Sequence, residues 1–297
     1  MPQSEPLIVA ACGLRGLVGS RVRTVTSLRW QSLDADITNL DAVKRALDST
    51  AATAVVNFAA FTNVSDAWKQ QGDRQGECYH VNVIGPQHLA QACAERGKYL
   101  IHVSTDYVYA GDRQAPYRED DATVPVEWYG QTKAWGEIEV LNNHPEAAVF
   151  RIASPFHSEP HRSEDIVRKI VRQLRSGTLP PMFVDTVITP TFVDDFARAV
   201  ARAAVVRPQG IYNVVGATAT SPAQLANEVA AAYDLTGSAI KTGKLADYLA
   251  RGSRPYAQYL NLSNEKVRQK LGVTFLTLPE ALTEVRRQQE VLSLLAP

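Results

Sequence analysis

Tyr129 and Lys133 stand four residues apart in VPVEWYGQTKAWGE (124–137), a spacing that puts both side chains on one face of a helix. A phenol with a pKa of about 10 is a poor proton donor or acceptor near neutrality. An ammonium beside it favours the phenolate and lowers that pKa, which suits proton exchange with an alcohol or carbonyl oxygen. Lysine can also hold a ribose through its three donors. Upstream, HVSTDYVYAG (102–111) ends an apolar run with adjacent hydroxyls and an acid. Thr105, at the C-terminal end of a parallel strand, would sit where such sheets bind ligands and could bond the same oxygen. A YxxxK pair alone is common on helix surfaces; the strand end and a phosphate-binding turn in the right order make it informative.

That turn is CGLRGLVGS (12–20), where Gly13, Gly16 and Gly19 follow the first apolar run. The first glycine allows the strand-to-helix turn, the second removes a Cβ that would block a pyrophosphate, and the third lets the helix approach the strand. Arg15 and Leu17 lie in the same turn. Little room separates Gly19 from Asp36, so RVRTVTSLRW must supply a much-shortened helix and the next strand. No acid follows a clear second strand. Arg21, Arg23 and Arg29 are candidates for a 2′-phosphate, which favours NADPH with NADH as the alternative. Asp36 and Ile37 are candidates for bonding and packing on an adenine.

The elements that must position these groups alternate β and α. LIVAAC, TAVVNFAA, YLIHVST and AVFRIASPF read as nearly continuous apolar strands. VNVIGPQHLAQACAERG reads as a helix ending on Gly97, SEDIVRKIVRQLRSG as one running from Ser163 to Gly177, and TSPAQLANEVAAAYDL as one capped by Ser221 with Pro222 first. The expectation is an α/β protein, a Rossmann-type doubly wound parallel sheet with a smaller α/β C-terminal part. Residues 1–154 would form the dinucleotide-binding domain, and 155–297 mainly a substrate-binding part with segments returning to the core.

The 297 residues are 45% hydrophobic and 21% charged, with Lys plus Arg equal to Asp plus Glu at 31 each. No global field recruits nucleic acid or a membrane surface, and no apolar run is long enough to span a bilayer. The opening MPQSEP lacks a secretory pattern. Cys12, Cys78 and Cys93 show no CxxC spacing and read as reduced thiols of a cytoplasmic protein.

These pieces together resemble the extended short-chain dehydrogenase/reductases that act on nucleotide sugars. The resemblance is to the dTDP-4-dehydrorhamnose reductase branch, whose fold the β-subunit of methionine adenosyltransferase shares. It covers nearly the whole chain, through NFAAFTNVSDAW, VNVIGPQHLAQAC, VSTDYVYAG, YREDDATVPVEWYGQTKAWGE and SRPYAQYLNLSNEKVRQKLG. It implies Tyr129 as proton donor, Lys133 as pKa modulator and ribose ligand, and Thr105 on the 4-keto oxygen. It implies Gly13, Gly16 and Gly19 around pyrophosphate, Ala59, Ala60 and Phe61 along the cofactor, and Asn82 steadying helix and strand. Asp106, Tyr107, Trp128 and Arg254 are then candidates for substrate contact. The implied activity is reduction of a nucleotide-linked 4-keto-6-deoxy sugar. A cofactor-binding regulatory subunit and a nucleotide-sugar epimerase are the rival readings, and a homodimer is the candidate assembly.

Related dehydratases carry Thr-Asp-Glu where this chain has Thr105-Asp106-Tyr107, so dehydration is not expected. The pattern departs from the reductases in RIASPF, where Ser154 replaces an aromatic, at Ser163–Asp165, and at Ile188, where glycine is usual. His157 and His161 in HSEPH read as two solvated imidazoles of a loop, not as a metal pair, and REDDA (118–122) reads as a turn. Trp30, Trp68 and Trp135 read as packing residues. EVRRQQEVLSLL reads as an amphipathic helix at the surface or at an oligomer contact.

Overall fold

The structure, a computed structural model, describes residues 6–237 and 239–295, so most of the MPQSEP stretch lies outside the described residues. Its first half runs β1 (Ile8–Cys12), α1 (Leu17–Val25), β2 (Arg29–Ser32), α2 (Leu40–Asp48), β3 (Ala54–Asn57) and α3 (Val64–Lys69). It continues through α4 (Glu77–Tyr79), a π-helical turn (His80–Ile84), α5 (Gly85–Glu95), β4 (Tyr99–Thr105), α6 (Trp128–Asn143) and β5 (Ala148–Ile152). The second half contains β6 (Pro155–Phe156), α7 (Ile166–Arg175), β7 (Met182–Phe183), β8 (Thr191–Phe192), α8 (Val193–Val206) and β9 (Gly210–Asn213). Last come α9 (Pro222–Ala232), β10 (Thr242–Gly243), α10 (Leu245–Leu249), α11 (Glu265–Leu271) and α12 (Leu278–Leu295).

The main sheet has the order β2-β1-β3-β4-β5-β9 and is parallel throughout. Side-chain alternation assigns its two faces. Val9, Ala11, Ala54, Val56, Ala148 and Phe150 point into one core with α8. Ala10, Val55, Leu100 and Val149 point into the other with α2 and α5. Both faces are covered, which is why these strands read as unbroken apolar runs. β2 is the exception: at the sheet edge three of its four residues are exposed, so it carries no apolar signature.

The nine-residue α1, which starts at Leu17, and β2 fill the chain up to Asp36, the shortened pair that the spacing demanded. The α9 start follows the expected rule: Ser221 accepts from Gln224 N–H at 3.1 Å, with Pro222 in the first turn. Helix α7 begins later than Ser163. Asp165 caps it through Arg168 N–H at 2.9 Å, while Ser163 N–H bonds back to the His161 imidazole. Helices α7, α9 and α12 enclose a separate core with Phe156, Ile188 and Phe192. The chain re-enters the main sheet through β9, which pairs with β5.

Candidate active site

A cleft of about 1150 Å³ opens along the C-terminal ends of β1, β3, β4 and β5. Gly13, Arg15, Gly16, Leu17, Gly19, Asp36, Ile37, Ala59, Ala60, Thr105, Asp106, Tyr107, Tyr129 and Lys133 all line it. The sequence brought these residues forward from five separate stretches, and the fold gathers them into one wall. Gly13 has φ +75°, and a Cβ there would stand 2.6 Å from Ala59 N. A Cβ on Gly19 would stand 2.6 Å from the Gly13 carbonyl, so α1 can lie against the turn only without one. At Gly16 a Cβ would meet nothing but the Gly13 carbonyl, at 3.2 Å, and otherwise point into open space. The α1 N-terminus thus offers free N–H groups beside an unobstructed cradle, a set that fits a dinucleotide pyrophosphate.

Tyr129 lies in the first turn of α6, whose N-cap is Glu127. The Glu127 carboxylate accepts from the N–H groups of Tyr129 at 2.9 Å and Gly130 at 2.7 Å. A Cβ on Gly130 would stand 2.2 Å from the Tyr107 carbonyl, and one on Gly136 2.2 Å from that of Asn82. These two glycines let α6 sit tight against the loop after β4 and the π turn. Asn82 does not line the cleft. Its amide accepts from Phe61 N–H and donates to the Phe61 carbonyl and Thr132, holding the loop that carries Ala59 and Ala60. Phe61 likewise stands behind the wall, packed beside Tyr129.

Burial pushes the Tyr129 phenol above its usual range, and the Thr105 hydroxyl offsets this only in part. Lys133 is fully buried; its Nζ donates to the Val103 carbonyl at 2.8 Å and meets His102 Nε2 at 3.3 Å. The expectation that its ammonium lowers the phenol's pKa therefore finds no direct contact here: the lysine is bonded to β4. Burial lowers Lys133 itself to about 8. Thr105 Oγ1 donates to Asp106 at 2.9 Å, and burial raises that carboxyl to about 7. The cleft floor is thus a low-dielectric patch of proton carriers displaced toward their neutral forms.

At the outer end the arginine reading is corrected. Arg21 is buried, with Nε on Asp194 at 2.6 Å, Nη1 on Glu159 at 2.6 Å and Nη2 on Gln288 at 2.6 Å, so it cannot meet a 2′-phosphate. Arg23 and Arg29 are exposed and do not line the cleft, whereas Arg15 and Arg162 do. Asp34, two residues beyond β2, lines the cleft too, an acid in the position where the sequence offered none. The Asp36 carboxylate accepts from the N–H and hydroxyl of Thr38, at 2.9 and 2.7 Å, which holds it below the usual range.

In the other half, Tyr107 meets Tyr129 edge-on at 5.7 Å between ring centres. Burial raises the pKa values of Tyr107 and Glu127, a rise that Arg254 offsets in part; Arg254 lies over the Tyr256 ring at 5.6 Å and stands next to the cleft, not in its wall. Trp128 is turned away and packs at right angles to Trp135, 5.5 Å between centres. Ser154 and the 163–165 stretch line the cleft, with Ser154 at φ +38°, but Ile188 lies in the core beneath α7 and α9. His157 is not solvated: it is 2% exposed with neither ring nitrogen bonded, and burial lowers it to about 4. Among the described residues no group of side chains forms a metal cluster.

Among the residues that sequence reading missed are Asp34, Asn57, His102, Glu127, Gly130, Gly136 and Arg162. Glu127 carried a usable signal, an acid just before a helical run; the others depend on contacts across the fold.

The family model for the RmlD substrate-binding domain matches residues 9–290. A dTDP-4-dehydrorhamnose reductase of Mycolicibacterium smegmatis is 36% identical over 198 residues, 64% of this chain; the match spans 58% of that relative's length. A probable dTDP-4,6-dihydroxy-2-methyloxan-3-one 4-ketoreductase of Streptomyces antibioticus is 33% identical, with 84% of each chain covered. Among solved structures, a dTDP-4-dehydrorhamnose reductase of Bacillus anthracis in complex with NADP superposes with a TM-score of 0.86. It is 21% identical, over 95% of this chain and 99% of that one.

Proposed function

The chain belongs to the RmlD substrate-binding-domain family, and on that premise we propose that it is an NADPH-dependent reductase of the keto group of a dTDP-linked deoxysugar. The observation that carries this reading is the convergence of Thr105, Tyr129 and Lys133 on the same cleft as the Gly13–Gly16–Gly19 turn. Relatives named as reductases of dTDP-sugars and a neighbour holding NADP support the substrate class and the cofactor.

NADPH supplies the hydride when bound. The chain's own residues do the rest. The turn and the α1 N-terminus hold the pyrophosphate, with Arg15 and Arg162 as the cations available to a 2′-phosphate. As the keto oxygen gains negative charge, the Tyr129 hydroxyl gives it a proton. A phenol whose pKa is raised by burial keeps that proton until an alkoxide, a much stronger base, forms beside it. Thr105 orients the same oxygen. Tyr107 and Ser154 form the sugar side of the cleft, and Arg254, beside Tyr107, is the candidate for a substrate phosphate. Three buried thiols without disulfides suit a reducing compartment such as the cytoplasm. None of the described helices is long and apolar enough to cross a membrane.

The test is NADPH consumption by purified protein with a dTDP-4-keto-6-deoxy sugar. Turnover supports the reading; NADPH binding without turnover on any such sugar overturns it and favours a regulatory role. Tightly held NAD⁺ released on denaturation would favour an epimerase instead.

A further inference from the structure

Behind the cleft, Asn57, His102 and Lys133 form a chain of polar groups whose hydrogens can be placed by elimination. Asn57, the last residue of β3, sits in register beside His102 on β4. Its Oδ1 accepts from Ala59 N–H at 3.0 Å, which fixes the amide, so its Nδ2 faces His102 Nδ1 at 3.1 Å. Nδ2 can only donate, so Nδ1 must present a lone pair, and the hydrogen of the neutral ring is on Nε2. That N–H points at Lys133 Nζ, 3.3 Å away. An ammonium has no lone pair to receive it, whereas a neutral amine accepts it and still donates to the Val103 carbonyl at 2.8 Å.

We propose that His102, its tautomer fixed by Asn57, is a positioning residue that favours the neutral amine of Lys133 while this network is closed, so that the lysine regains its ordinary basicity only on turning away from β4 toward the cleft. The proposal rests on the reading of Lys133 as part of the reductase site, but it concerns the lysine's resting state. A protonated His102 is no alternative, because its Nδ1–H would face the Asn57 N–H; burial drives the ring's pKa well below its ordinary value. The groups that act on Nζ are Glu137 on its own helix, Cys78 on α4 and His102 on β4. Glu137 and Cys78 favour the charged form, but Glu137 is engaged by Arg151 at 2.6 Å, and burial outweighs both. Asp106 and Glu127 act on Tyr129.

The experiment is an NMR titration of protein carrying ¹³Cε-labelled lysine, with the Lys133 signal identified by its loss in Lys133→Arg. Asn57→Asp replaces the donor with an acceptor, which draws the ring hydrogen to Nδ1, facing the introduced carboxylate, and frees the Nε2 lone pair for an ammonium. His102→Phe removes the N–H that faces Nζ. The expected result is a wild-type midpoint depressed by two units or more from the ordinary lysine value of about 10.4, raised by about one unit or more in Asn57→Asp and also raised in His102→Phe. A wild-type midpoint near the ordinary value, or one that neither variant moves, overturns the proposal, and the wild-type titration decides alone if a variant does not fold. No sugar is present, so failure of turnover with these shifts intact would count against the substrate reading only. In an active enzyme the alkaline limb of kcat/KM moves with the same midpoint, which loss of packing alone would not cause.

Discussion

The residues with the clearest chemistry are those whose burial works against their charged forms. Tyr129 keeps its proton because the phenolate is disfavoured, so Tyr129→Phe should cost about 10²–10⁴ in kcat while NADPH still binds, measured by fluorescence titration. Asp106 offers a test that needs no substrate. Burial raises its carboxyl from the ordinary 3.8 to about 7, so the folded protein holds a proton that the unfolded chain releases. Stability contributed in this way is complete below the unfolded value and is lost as pH rises through the folded one. Asp106→Asn should therefore flatten the decline of stability between roughly pH 4 and 7 in urea melts at several pH values. An unchanged slope would mean that Asp106 is ionised in the folded state. Sequence spacing was enough to bring Thr105, Tyr129 and Lys133 together, because a strand end and one helical turn fix them locally. It could not reveal Asn57 or His102, whose roles arise from register between strands 45 residues apart in the chain.

At the scale of elements, the site depends on how closely α6 approaches β4. Arg151 on β5 bonds Glu137 of α6 at 2.9 and 2.6 Å and the Tyr109 hydroxyl at 2.5 Å, fixing the helix to the sheet from its far side. Gly130 fixes the near side. Gly130→Ala should cost about 1–3 kcal/mol by overpacking against the Tyr107 carbonyl and reduce kcat more than it weakens cofactor binding, checked by thermal melts beside steady-state kinetics. Equal losses in both would show that the helix shifts as a whole. The alternation of β and α was legible because the inner strands are apolar on both faces. Arg21 was misread for a physical reason: an arginine in a short helix beside a glycine turn resembles a phosphate ligand, and only the distant Asp194 and Gln288 show that it ties α1 to α8 and α12. The two-residue strands β6, β7, β8 and β10 are too short to leave a period, and the π turn leaves none either.

Across the whole molecule, the nucleotide-side sheet and the C-terminal helices are joined through that buried arginine. Arg21→Ala leaves Asp194 without its main partner and should destabilise the protein by about 3 kcal/mol, read in denaturant melts, with kcat at saturating NADPH nearly unchanged. A drop in kcat at full folding would place Arg21 in the site after all. The departures at Ser154 and 163–165 fall on the cleft wall supplied by the chain after β5, so the wall supplied by the first four strands was the more legible. The central claim is that one cleft joins a phosphate-binding turn to a tyrosine proton donor. Its most direct test is the rate of NADPH oxidation with a dTDP-4-keto-6-deoxy sugar, wild type against Tyr129→Phe. Sugar-dependent oxidation that the substitution reduces by at least about a hundredfold is the predicted result; oxidation that survives unchanged in Tyr129→Phe would contradict it.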